Sequence, residues 1–286
     1  TKGAVDYSDW LVLYDPPDEP TLDTVASPTG LLMQSLSGTK DSGSGILING
    51  VQRVAPDLET IWSCALPLTE GRNSIAIKAI AESGMVSSAV QTAIVVDTIA
   101  PLLYSSAPAD GAFVTREVGL VEMTILEQTT EIDAAATARG TVVDGSGEII
   151  AGSWLLENSH LTFTPEVALQ DGAYRITLHP TDYPLGNAAE AAISFTVDLG
   201  PPAAPVIDSY VSPRSESQIV ISGTKEAGSA VWLSGAEIVA LSDELSWSYT
   251  FSLVEGLNVF RPYSRDQAGN ISDTVTFTVT LDTVPP

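Results

Sequence analysis

Cysteine is almost absent from this chain, and Cys64 alone excludes an intramolecular disulfide, so stability has to come from packing. Histidine is scarce as well. His160 and His179 are the two present, each in a different strand-like stretch and neither inside a nucleophile or metal motif, so nothing points to an enzyme. Basic residues are few: 12 Lys and Arg stand against 36 Asp and Glu, a formal net charge of -24. Such a field repels phosphate backbones and anionic lipid surfaces, which removes nucleic acid and membrane surfaces as partners. No run of about 18 apolar residues occurs, so no membrane-inserted helix is expected. The opening "TKGAVDYSDWL" lacks the charged and apolar blocks of a signal peptide, so the chain reads as intracellular or as a piece of a longer protein.

What is present is period-two patterning and an internal repeat. The chain has 286 residues with 44% hydrophobic composition, enough for two or three packed domains. "SGTKDSGSGILING" (Ser37 to Gly50) superposes on "SGTKEAGSAVWLSG" (Ser222 to Gly235) at an offset of 185. The same ungapped offset places Trp62 on Trp247, "EGRN" on "EGLN" and "DTIAP" on "DTVPP", with 26 of 82 positions identical. Pro20 to Pro101 and Pro205 to Pro286 are therefore two copies of one domain. The roughly 100 residues between them alternate strands with Gly, Pro and Asp turns in a different pattern, a third module. The divisions are 1–19 as a tail or the end of a preceding domain, then 20–100, 101–200 and 201–286.

Within the last copy, "DTVTFTVTLD" alternates Val275, Phe277, Val279 and Leu281 with threonines, one face buried and one wet. Turn signals recur every 8 to 12 residues or so, the rhythm of antiparallel sandwiches. Pro262 marks an edge or a bulge, and "TEIDAAATAR" holds at best one short helical turn. The fold class is all-β: three tandem antiparallel β-sandwiches, joined by Asp-then-Pro linkers that limit bending and favour an elongated rod.

"ISGTKEAGSAVWLSG", then Trp247, "LVEGLNVF", "SRDQAGNIS" and "VTLDTVPP" resemble the bacterial immunoglobulin-like (Big-type) domains strung along secreted and cell-surface proteins. The middle stretch, with Pro108 to Gly111, "ENSHLTFTP", "LQDGAYRITL" and "TDYPLGN", resembles a related bacterial type. "VDYSDWL" is similar to the segment that closes a parallel β-helix region in large surface proteins. The resemblance implies an extracellular, non-catalytic spacer or adhesive segment, with neighbouring domains or other subunits as partners.

Calcium is the sharper site expectation. Asp266, Asn270, Asp273 and Asp282, with the linker residues Asp198 and Asp208, could supply the hard oxygens it needs, and some arrays of the resembled kind stiffen on binding it at their joints. The plainer reading is a turn: Gly269 allows positive φ, and Asp266 caps amides of its own loop. The first copy has Ala81 and Met85 where the third has Asp266 and Asn270, so the turn does not need a metal. Trp232 is the candidate for stacking on a glycan, against a structural role as a sandwich tryptophan. Cys64 reads as a core filler and Lys40 and Lys225 as solvated strand-end lysines in preference to an isopeptide crosslink. Finally, "AVDYSDWLVLYD" in the tail could add as a strand to another subunit and build a filament.

Overall fold

The computed structural model describes residues 15–284. The β-helix resemblance and the strand-adding reading of residues 1–14 lie outside them. The architecture is all-β, with a single helical turn among the described residues.

The first copy folds as β1 (Met33–Thr39), β2 (Ser44–Ile48), β3 (Val51–Val54), β4 (Ile61–Pro67), β5 (Gly71–Ala81) and β6 (Val90–Val96). One sheet runs β3-β2-β5-β6 and faces the pair β1-β4, all antiparallel. Alternation puts Leu36, Ile46, Ile48, Trp62, Leu66, Ile75, Ile77 and Ile94 between them, all buried.

The middle stretch contributes β7 (Leu102–Ala107), β8 (Ala112–Val114), β9 (Val121–Leu126), β10 (Glu131–Ile132), the turn α1 (Ala134–Thr137), β11 (Thr141–Asp144), β12 (Gly152–Glu157), β13 (His160–Pro165), β14 (Gly172–Leu178), β15 (Asp182–Tyr183) and β16 (Ala191–Val197). Its sheets are β12-β13-β9-β7 and β11-β14-β16-β8, with β8 parallel to β16 and a short β10-β15 pair. Val121, Met123, Ile125, Leu161, Phe163, Ile176 and Phe195 are buried.

The last copy repeats the first plan: β17 (Val206–Ile207), β18 (Gln218–Thr224), β19 (Ser229–Leu233), β20 (Ala236–Ser242), β21 (Ser246–Ser252), β22 (Gly256–Phe260), β23 (Tyr263–Asp266) and β24 (Phe277–Leu281). The sheet β17-β18-β21 faces β20-β19-β23 and β22-β24. Pro262 divides what is one strand in the first copy into β22 and β23, because it has no N–H for the ladder.

Several identical positions of the two copies make the same polar contacts. Ser37 donates to Asp23 at 2.6 Å and Ser222 to Asp208 at 2.7 Å. The Asn73 amide ties Thr69, Gly71 and Ile94 carbonyls, and Asn258 ties Val254, Gly256 and Val279 in the same way. Glu70 and Glu255 take the hydroxyls of Thr98 and Thr283, each at 2.8 Å.

One position differs in a costly way. Ser264 is fully buried and its hydroxyl has no hydrogen-bond partner among the described residues, whereas its counterpart in the first copy is Ala79. Ser264→Ala is therefore expected to stabilise the chain by about 1 kcal/mol, the cost of an unsatisfied buried hydroxyl. A rise in the urea midpoint checks this, and a fall would show that the hydroxyl is satisfied.

The chain divides into two compact units. The first runs to Leu102 and takes in Ile125–Thr137 and His179–Ala189. The second comprises Leu103–Thr124, Ala138–Leu178 and the chain from Glu190 onward.

Candidate metal centre

In the first unit three carboxylates converge. Asp97 follows the end of β6, Glu127 follows β9, and Asp182 opens β15. Their ligand oxygens all lie within 4.8 Å of one another. Asp97 is 0% and Asp182 1% exposed, and Glu127 is half-buried.

Local turns set each group. Glu127 Oε1 accepts the N–H groups of Gln128 at 2.6 Å, Thr129 at 2.7 Å and Thr130 at 3.3 Å, so the loop after β9 curls around it. The Thr130 hydroxyl donates to Asp97 Oδ2, and the Ile99 N–H donates to Oδ1 at 3.1 Å. Asp182 takes the main-chain N–H of Asn187 at 3.0 Å and its side-chain amide at 2.7 Å. That same amide donates to the Asp97 carbonyl at 3.1 Å, tying the turn after β15 to the end of β6.

Among the described residues, every donor to these three carboxylates is a neutral amide or hydroxyl, and none is a Lys or Arg. Like charges crowded out of water repel and lose solvation unless something positive joins them. Three carboxylates without imidazole or thiolate suit a hard cation. Calcium takes six to eight oxygens, with carbonyls and water completing a set of this kind.

The residues singled out from the sequence are placed differently. Asp266 Oδ1 accepts the N–H groups of Gly269 at 2.7 Å and Asn270 at 2.8 Å, closing the turn, with Gly269 at φ +99°. Asn270 donates its amide to the Asp198 carbonyl at 2.9 Å, the counterpart of Asn187 on Asp97. The Asp198 carboxyl is held above the usual range, first by burial and then by the charges of Asp266, Asp171 and Glu226. Asp273 is exposed. Asp282 is exposed, takes the Val284 N–H at 3.2 Å, and follows a strand whose Leu281 pairs with Gly256, the end of β22 far from the Asp266 turn.

Trp232 is half-buried. The Arg265 guanidinium lies over its ring, 5.2 Å from the centroid, and occupies that face. Cys64 packs against the first core, and burial pushes its thiol up.

The two lysines are not solvated, contrary to expectation. Lys40 is 6% and Lys225 5% exposed. Lys40 Nζ donates to Asp57 Oδ1 at 2.7 Å and the Glu59 carbonyl at 2.6 Å, and the hydrogen bond from Lys40 holds the Asp57 carboxyl below the usual range. Lys225 donates to the Ser242 carbonyl at 2.7 Å, and burial lowers its pKa. Each ammonium is capped by carbonyls from a neighbouring segment, the loop after β3 for Lys40 and the end of β20 for Lys225, which period-two patterning does not reveal.

No family model matches the chain, and no curated protein does. Among solved structures, the chicken CNTN1 FN1-FN3 domains share 11% identity over 93% of this chain and 100% of theirs, with a TM-score of 0.41. CopC from Methylosinus trichosporium OB3b shares 19% over 34% of this chain and 93% of its own, TM-score 0.30. The BSP domain of a biofilm associated protein shares 11% over 94% of this chain and 67% of its own, TM-score 0.26. The all-β assignment rests on this chain's own strand pairing.

Asp97, Glu127 and Asp182 were missed in the sequence for different reasons. Asp182 to Asn187 spells D-x-x-x-G-N and Asp266 to Asn270 spells D-x-x-G-N, so the shared Gly-Asn turn after an aspartate was a usable signal. Glu127 carries none, since nothing in its neighbourhood marks it as converging on the other two.

Proposed function

We propose that this chain is a non-catalytic structural segment of an extracellular bacterial surface protein, a run of immunoglobulin-like sandwiches acting as a spacer. A divalent cation, calcium by its ligand chemistry, pins the loop set around Asp97. The observation that carries this reading is the carboxylate trio: two buried acids and a third within 4.8 Å, hydrogen-bonded among the described residues by neutral groups alone. A cation there would join the end of β6 to the loops after β9 and β15, turning three separate chain segments into one rigid point. Asp-then-Pro linkers and an acidic, disulfide-free composition suit a soluble spacer whose partners are neighbouring domains.

Thermal melts of the whole chain test the cation. Calcium at a hundredfold excess over its Kd is expected to stabilise the first unit by about 2.7 kcal/mol. That is a rise of several degrees in Tm, reversed by chelator. Asp182→Asn removes the response. If the parent does not respond to calcium and Asp182→Asn raises Tm in cation-free buffer, the trio is only a repulsive acidic cluster and the cation part of the reading fails.

A further inference from the structure

We infer that the edge strand β21 is a self-pairing surface whose partner is β21 of a second copy of this chain, joined antiparallel about a two-fold axis at Tyr249. The argument starts from which main-chain groups are free. β21 pairs with β18 on one side and, among the described residues, is the last strand of its sheet. The Lys225 N–H donates to the Leu245 carbonyl and the Leu253 N–H to the Ser217 carbonyl, both at 2.8 Å, in register with Ile221 opposite Tyr249. Bonded and non-bonded pairs alternate along an antiparallel ladder. Trp247, Tyr249 and Phe251 therefore bond inward to β18, while Ser246, Ser248, Thr250 and Ser252 turn their N–H and C=O groups to solvent.

That edge lacks the devices that keep edges apart. "SWSYTFS" has no charge, no proline and an unbroken seven-residue register with β18. On the opposite sheet the edge strand β20 carries Glu237 and pairs through a bulge. In the first copy the strand equivalent to β21 is β4, "IWSCALP". By the same alternation its outward positions are Ile61, Ser63, Ala65 and Pro67. Pro67, standing where the third copy has Ser252, removes an outward donor and blocks the edge.

The sequence of β21 reads nearly the same in both directions. Antiparallel pairing about Tyr249 sets Ser246 against Ser252, Trp247 against Phe251, Ser248 against Thr250 and Tyr249 against itself. All four outward residues then fall in bonded pairs, giving eight main-chain hydrogen bonds, two in each of four pairs. Aromatic meets aromatic on one face and hydroxyl meets hydroxyl on the other. Tyr249, on the inner face yet 37% exposed, gains the cover it lacks in one copy. Such a contact is isologous and closes at two chains. Beyond the strand ends Asp243 comes opposite Glu255, so association strengthens as salt screens the acids.

Sedimentation equilibrium of the whole chain is expected to show a dimer that tightens with salt. Ser252→Pro, which copies Pro67, removes two of the eight bonds and is expected to weaken it about tenfold or more. In a Cys64→Ser background, Tyr249→Cys is expected to oxidise to a covalent dimer, because the two residues meet in a non-bonded pair with close Cβ atoms. Leu257→Cys, exposed on β22, is the control and should not. The disulfide readout stands even if Ser252→Pro folds poorly. A monomer at every concentration and salt, or crosslinking at Leu257→Cys equal to that at Tyr249→Cys, overturns the inference.

Discussion

Gly38→Ala is expected to unfold the first sandwich at modest urea, and Gly223→Ala the third. Each glycine sits in a strand opposite a buried tryptophan, Gly38 facing Trp62 and Gly223 facing Trp247. A Cβ on Gly38 would fall on the Thr21 carbonyl and lie 3.0 Å from the Trp62 indole nitrogen. On Gly223 it would fall on the Val206 carbonyl and lie 3.1 Å from the Trp247 nitrogen. Main chain cannot step aside as a flexible side-chain end can. The Thr21 segment would have to leave, losing the Thr21 N–H bond to Thr39 at 3.0 Å and the Trp62 bond to the Thr21 carbonyl at 3.1 Å. A loss of about 3 kcal/mol or more follows from overpacking against backbone. That is a large share of the roughly 5–15 kcal/mol a domain holds. Gly50 provides the contrast: its φ is +80° but nothing lies near its Cβ position, so Gly50→Ala should cost only about 1–2 kcal/mol. Urea melts followed by tryptophan fluorescence measure both, and equal costs at Gly38 and Gly50 would refute the steric argument.

Trp62→Ala is the second large effect, expected to cost about 3–5 kcal/mol as a core truncation. Trp62 is 1% exposed, sits between the sheets, and spends its one polar atom on the Thr21 carbonyl. Trp62→Phe keeps most of the apolar volume and should lose about 1 kcal/mol for the missing hydrogen bond plus a small packing deficit. If the phenylalanine variant were as unstable as the alanine one, the hydrogen bond, and not the volume, would be what holds the ring.

Much of this was readable in the repeat. Among the positions that survive between the copies are ones whose physics allows little substitution: Gly38 and Gly223 opposite a tryptophan, Asn73 and Asn258 gathering three carbonyls, Ser37 and Ser222 bound to an aspartate. The core itself drifts, with Leu66 in one copy and Phe251 in the other, because volume can be redistributed among neighbours. Period-two alternation located the strands for the same reason. What stayed hidden depends on distances between remote segments. The Asp97, Glu127 and Asp182 trio joins residues up to 85 positions apart, and burial of Lys40 and Lys225 depends on where a remote segment places its carbonyls. An acidic turn in the last copy drew attention because its ligand types were adjacent in sequence, while the converging carboxylates were not.

The unlike module between the two matching copies also bears on how the chain is made. Copies that share a hydrogen-bonding pattern can exchange strands while both are unfolded. Roughly 100 residues separate them, about 5–20 s of synthesis at ordinary ribosome speed. A sandwich of this size closes in milliseconds to seconds. The first copy has therefore finished folding before the strands that could mispair with it leave the ribosome, and the order of modules itself acts as protection against misassembly.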